Sequence, residues 1–271
     1  MIKKVVFYIA VFFLLQLVAT AIVMGTGFVS TKELPESLTP LQTLIMEGLF
    51  ALLVIVWFLW RRWTPVSGNW MRTRPISVLA WCIIAALGTI VPSIWVQEYL
   101  SFLPDISSEG LMDIIMQKGG YFIIAILVPL SEEIVFRGAI LRTLLGINEP
   151  STVPSSPSTS EARPCSMWTA ITISALIFAL AHLNPAQIPH AFLLGLLLGW
   201  VYARTRSIIP GVLIHVVNNT ATFILARAYV NTPDITLEQI LGSGQQVALA
   251  LLFSLCLLLP ALFQLHQRMK N

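Results

Sequence analysis

The chain has 271 residues, of which 56% are hydrophobic and only 11% charged, and its mean hydropathy is +0.82. A soluble domain carries about twice that share of charge, so composition excludes one and predicts a polytopic membrane helix bundle. The three cysteines, Cys82, Cys165 and Cys256, have no paired spacing, which argues against a disulfide framework or a structural zinc site, and the net charge of +3 informs only through its distribution.

The first predicted element, over 5–25, follows Lys3 and Lys4. Its apolar run exceeds the roughly 7–15 residues of a signal-peptide core and reads as an uncleaved first span. Further spans are predicted over 43–60, 78–97, 120–145, 167–183, 188–203, 208–227 and 245–265, giving an all-α fold of about eight transmembrane helices. Residues 99–119 suit a short amphipathic segment. The stretch 148–166, rich in Ser, Pro and Thr, reads as a flexible cytoplasmic loop. Asn184 and Pro185 separate two short spans and predict a helical hairpin. No repeat or separate soluble domain is visible, so residues 1–271 form one integral membrane domain.

Positive charge orients the spans. Lys3, Lys4, Arg61, Arg62, Arg72, Arg74, Arg142, Arg163, Arg204, Arg206, Arg268 and Lys270 all fall on one side of this eight-span layout. The other side holds Lys32, Lys118 and Arg227, with most of the acidic residues. Both termini are therefore expected in the cytoplasm, and no nucleic-acid partner is expected.

Ionisable residues inside spans cost several kcal/mol unless paired and are functional hypotheses by default. Here they are Glu47, Glu132, Glu133, Arg137, His182 and His215, with His190 at the start of the sixth span and Asn218 and Asn219 beside His215. Glu133 and Arg137 are four apart and can pair on one helix face. Glu132 is turned away from Glu133 by about 100°. His215 and Asn219 share a face, as do Phe178 and His182. Read one at a time, these are structural features: an ion pair fixing helix packing, an interfacial histidine, an interhelical hydrogen bond. His190, beside Pro189, reads as interfacial. The combination points to a common cavity near mid-membrane, tilted toward the cytoplasm.

A carboxylate and a histidine can activate water. Glu132 would take the proton and His182 would hold the water or relay the proton. His215 and Asn219 supply donors for a tetrahedral oxyanion. Glu133 and Arg137 would keep the fourth span in register. Two histidines and a glutamate also make a catalytic zinc set, so Glu132, His182 and His215 would be the ligands if a metal is present, although HExxH is missing. No cofactor is expected, with zinc as the open alternative. No aspartate lies in a span, which excludes an aspartyl dyad, and Ser243 has no later histidine but His266 at the tail.

Three motifs in order, EEIVFR (Glu132 to Arg137), FALAH (Phe178 to His182) and HVVNN (His215 to Asn219), resemble the EExxxR, FxxxH and HxxxN motifs of the CPBP family of CAAX proteases and bacteriocin-processing enzymes, also called the Abi family. The resemblance covers about residues 120–225. It implies a glutamate-dependent intramembrane endopeptidase with a cavity open to the cytoplasm, Glu132 and His182 activating water and His215 and Asn219 stabilising the oxyanion. It further implies membrane-associated protein or peptide substrates, of the prenylated CAAX type or bacteriocin-like, and a multi-pass location in a bacterial or archaeal plasma membrane. The loop between the first two motifs is long for the family. The competing reading is a non-catalytic membrane scaffold or bacteriocin-immunity factor of the same fold.

Overall fold

Each apolar stretch folds into a helix, as a chain in lipid must if its backbone groups are to be satisfied internally. The computed structural model describes residues 1–32, 37–66, 76–106, 108–147, 165–232 and 235–269. Most of the predicted loop (148–164) lies outside the described residues, as do Arg72, Arg74, Arg163 and Lys270 from the charge count.

Among the described residues there are ten helices and no strand. They are α1 (Ile2–Thr31), α2 (Pro40–Trp60), α3 (Ser77–Tyr99), α4 (Ser108–Ile115), α5, α6 (Met167–Ala181), α7 (Ile188–Thr205), α8 (Ile209–Ala228), α9 (Leu237–Leu241) and α10 (Gly244–Arg268). Helix α5 is one continuous run built of Tyr121–Leu127, Val128–Glu133, Ile134–Leu141 and Arg142–Leu144, the first and third pieces being π-helical. The eight long helices sit where the eight apolar stretches were predicted, and α4 falls within the predicted amphipathic segment. Five helices, α1, α2, α3, α8 and α10, are long and apolar enough to cross a membrane, and α6 is a shorter apolar helix. A count of eight crossings with both termini cytoplasmic stays an inference from the charge distribution.

Local chemistry sets the helix ends. Thr39 caps α2 by accepting from the Gln42 N–H, and the Gln42 side chain accepts from the Thr39 N–H in return. Ser166 and Ser243 cap α6 and α10 by accepting from the Thr169 and Gln246 N–H groups. Prolines 189 and 210 open α7 and α8, where a missing N–H costs nothing. The turn between α6 and α7 passes through Leu183, a non-glycine residue at φ 55°. The Asn184 side chain then ties that turn to the α3–α4 connection, donating to Asp105 at 2.9 Å and accepting from the Ile106 N–H at 3.4 Å.

Packing divides into two apolar clusters. One joins α1, α2, α5, α6 and α7 and includes the aromatic rings of Phe12, Phe50, Phe136 and Phe178. The other joins α3, α7, α8 and α10. Small residues bring helices close: Gly195 and Gly199 of α7 lie against Ala175 and Ile171 of α6, and Gly88 of α3 lies against Leu258 of α10. Outward faces carry large exposed apolar side chains such as Leu17, Trp60, Leu252 and Phe263, as a lipid-facing surface requires.

Candidate active site

The site begins with a defect in α5. Widening a helix to π geometry shifts each acceptor by one residue. The Val128 N–H accordingly bonds the carbonyl of Ile123, five residues back. By the same register the partner of the Ile124 carbonyl would be residue 129, which is Pro129 and has no N–H. The Asn219 amide of α8 supplies the missing donor, its Nδ2 lying 3.2 Å from the Ile124 oxygen. In the second π segment, Thr64 Oγ1 donates to the Ile134 carbonyl at 2.7 Å and Ser174 Oγ to the Phe136 carbonyl at 3.0 Å. Side chains from three other parts of the chain thus satisfy the backbone on both sides of the two glutamates.

Glu133, the last residue before the second π segment, and Arg137, inside it, form the predicted i,i+4 pair. Arg137 Nη1 donates to Glu133 Oε1 at 2.8 Å, and both side chains are sealed from solvent. The guanidinium has two further supports: Nη2 donates to the Gly195 carbonyl at 3.3 Å, and the Phe178 ring lies 4.4 Å from its central carbon. Glu133 fits because residue 211 is glycine. A Cβ there would stand 2.7 Å from Glu133 Oε2.

His215 projects from α8 between the two carboxylates. Its Nδ1 is 3.2 Å from Glu133 Oε1 and its Nε2 is 3.5 Å from Glu132 Oε2. Glu132 keeps 16% of its side chain exposed, against 0% for Glu133. Of the two, Glu132 alone has an open face. His182 closes the C-terminal end of α6, its Nδ1 donating to the Phe178 carbonyl at 2.9 Å. Because a carbonyl can only accept, the proton sits on Nδ1 and Nε2 is left as an acceptor. The Phe178 ring stands edge-on to both histidines, 4.9 Å from His182 and 5.6 Å from His215 between centroids.

Of the residues singled out in the sequence, Glu132, Glu133, Arg137 and His215 therefore come into direct contact. His182 joins them through Phe178. Asn219 reaches α5, where one of its two amide hydrogens is committed to Ile124. His190 differs from its interfacial reading: it turns into the bundle, where Asn218 Nδ2 lies 3.3 Å from its Nε2. Gly211 was missed as a site residue, although it stands one turn before His215, and Asn218 was noted beside His215 but given no role. Among the described residues no three His, Cys, Asp or Glu side chains are grouped as metal ligands. Both nitrogens of His215, one of the three expected ligands with Glu132 and His182 if zinc is bound, already face carboxylates.

Residues 116–221 match the family model described as type II CAAX prenyl endopeptidase Rce1-like. The match spans all three motifs and supports assignment to the CPBP/CAAX intramembrane protease family. No curated protein and no solved structure matches the chain in the same comparisons.

Proposed function

We propose that this integral membrane member of the CAAX protease family, assigned through residues 116–221, hydrolyses peptide bonds of membrane-associated proteins or peptides with a glutamate-activated water. The observation that carries the proposal is His215 held between two carboxylates, one sealed and one open.

Glu132, the open carboxylate, takes a proton from water. His182 Nε2 accepts a hydrogen bond from the same water and orients it. The oxygen adds to the scissile carbonyl, whose electron pair moves onto the carbonyl oxygen. Glu133 accepts the Nδ1–H of His215, which leaves Nε2 with a lone pair toward Glu132. The proton passes from Glu132 across the 3.5 Å contact to Nε2, and Glu133 balances the charge formed on the ring. That N–H and the second amide hydrogen of Asn219 stabilise the oxyanion. Collapse of the intermediate breaks the C–N bond, and the proton on His215 leaves with the amine. Atoms and charge balance without a covalent enzyme intermediate.

The substrate class proposed is the prenylated CAAX-type protein, with bacteriocin-like peptides as the other class. Cells carrying wild type or Glu132→Gln at matched protein levels are compared for new protein N-termini and released peptides. Cleavages present only with wild type support the reading and name the substrate. Identical profiles overturn it and favour a scaffold or immunity factor. Purified protein is then assayed on an internally quenched farnesylated CAAX peptide with and without a zinc chelator. An unchanged rate supports the metal-free route, and loss that zinc restores replaces it with a metal-dependent one.

A further inference from the structure

Helix α8 carries His215, and its rotation about its own axis decides where Nε2 points. Two bonds hold it toward α5: His215 Nδ1 to Glu133 Oε1, and Asn219 Nδ2 to the Ile124 carbonyl. Both run to α5, so a polar tie to a second helix would fix the rotation further. Asn218, three residues on from His215 and about 100° round the helix from Asn219, reaches α7 instead of α5 and is 4% exposed. Its Nδ2 lies 3.3 Å from Nε2 of His190, in the first turn of α7.

We infer that His190 is a positioning residue for the hydrolysis, acting through the Asn218 amide to hold α8 at the rotation that keeps His215 Nε2 on Glu132. An Nδ2–H can only donate, so His190 Nε2 is the acceptor and the imidazole proton lies on Nδ1. The tie needs an acceptor at this place and no charge. A glutamine at position 190 can replace it with its amide oxygen. Alanine cannot, and it leaves the buried Asn218 amide without its partner.

The inference rests on the proposed hydrolysis, and its test separates the two. Wild type, His190→Ala, His190→Gln, Asn218→Ala and the His190→Ala/Asn218→Ala double variant are assayed on the quenched farnesylated CAAX peptide in detergent. Each alanine variant is expected to lower kcat about tenfold, with KM within about twofold, as a small misplacement of a reacting group does. The double variant should be no worse than either single one, and His190→Gln should recover most of the rate. An additive double variant, or a rate per folded molecule unchanged by alanine, overturns the inference.

The second readout needs no turnover. The chain has four histidines, His182, His190, His215 and His266, so a ¹⁵N-histidine spectrum is assignable by substitution. His215 ring signals should move in His190→Ala and return in His190→Gln. Unmoved His215 signals overturn the tether even if no peptide is cut. Wild type that cuts nothing in either the peptide or the cellular assay, with His215 signals behaving as expected, counts against the hydrolysis alone.

Discussion

Two regions of the bundle are built on opposite terms. Where α3 meets α10, helices meet through Gly88, Leu258, Ala85 and Ala261, an apolar van der Waals contact with an exposed hydrogen bond at one end, Arg268 Nη1 donating to Ser77 Oγ at 3.1 Å. Where α5 meets α6, α7 and α8, the same apolar bundle encloses an ion pair, two further histidines beside His215, and three carbonyls of α5 bonded by side chains from elsewhere in the chain. The first interface tolerates any side chain of the right volume. The second tolerates few, because its buried side chains are held through specific polar contacts that a residue of different chemistry would leave unmade. Stability can be lost in either region, but chemistry only in the second.

The largest effect should separate the two glutamates, which are adjacent in sequence yet differ in exposure. Glu132→Gln removes the proposed base while keeping volume and a hydrogen-bonding amide. Turnover is expected to fall by about 10³-fold or more, with the unfolding midpoint in detergent unchanged. Residual turnover above about a tenth of wild type would take the base role from Glu132.

Glu133→Gln and Arg137→Ala should act on folding first. Each leaves the other charge sealed and unpaired, at a cost of about 3–5 kcal/mol. Both variants should accumulate poorly and unfold at lower temperature, and removal of both charges together should cost less than the two single losses added. Normal accumulation of the single variants would mean the pair is not sealed as Glu133–Arg137 geometry indicates.

Glycine substitutions set the two regions directly against each other. In Gly211→Ala the new Cβ would lie 2.7 Å from Glu133 Oε2, so the carboxylate must shift and carry the His215 Nδ1 bond with it. In Gly88→Ala the Cβ would lie 2.8 Å from the Leu258 backbone nitrogen, and α3 and α10 must part. Both overpacked variants should lose about 1–3 kcal/mol of stability. Activity per folded molecule should drop about tenfold in the first and hold in the second. Equal activity loss in both would erase the distinction between a chemical centre and an inert flank.

How far this was legible in the sequence follows from the range of each interaction. Spans follow from local hydropathy, and all eight stretches became helices. The Glu133–Arg137 pair follows from a spacing of four. The widened turns of α5 do not, because their carbonyls are satisfied by Thr64, Ser174 and Asn219, up to 95 residues away. Pro129 was a local sign of the first widening, since a proline inside an apolar span leaves a carbonyl without its donor. Asn219 donates to Ile124 beside the oxyanion role proposed for it, and the motif pattern suggested only the latter. His190 was read as interfacial because it starts a helix beside a proline. Its bond to Asn218 depends on how α7 and α8 are rotated, which no single-helix pattern encodes.

The smallest effects should come from the hydroxyls that repair the second π segment, and they sharpen the comparison because they are polar without being part of the chemistry. Thr64→Val and Ser174→Ala each strip one donor from a buried carbonyl, of Ile134 and of Phe136, and each should cost about 1 kcal/mol. Thr64→Ser keeps the hydroxyl and should cost less than Thr64→Val. The two carbonyls are two residues apart on one helix that also carries Glu132, so the losses should couple: the double variant has the option of returning Ile134–Leu141 to α geometry, which would satisfy both carbonyls internally and turn the Arg137 side of α5 relative to the Glu132 side. Unfolding midpoints of the two singles and the double decide it. A double variant less destabilised than the sum, with turnover falling further than in either single, ties the widened turn to the placement of the glutamates. Strict additivity with turnover unchanged makes the widening a local packing feature and leaves the chemistry to the side chains alone.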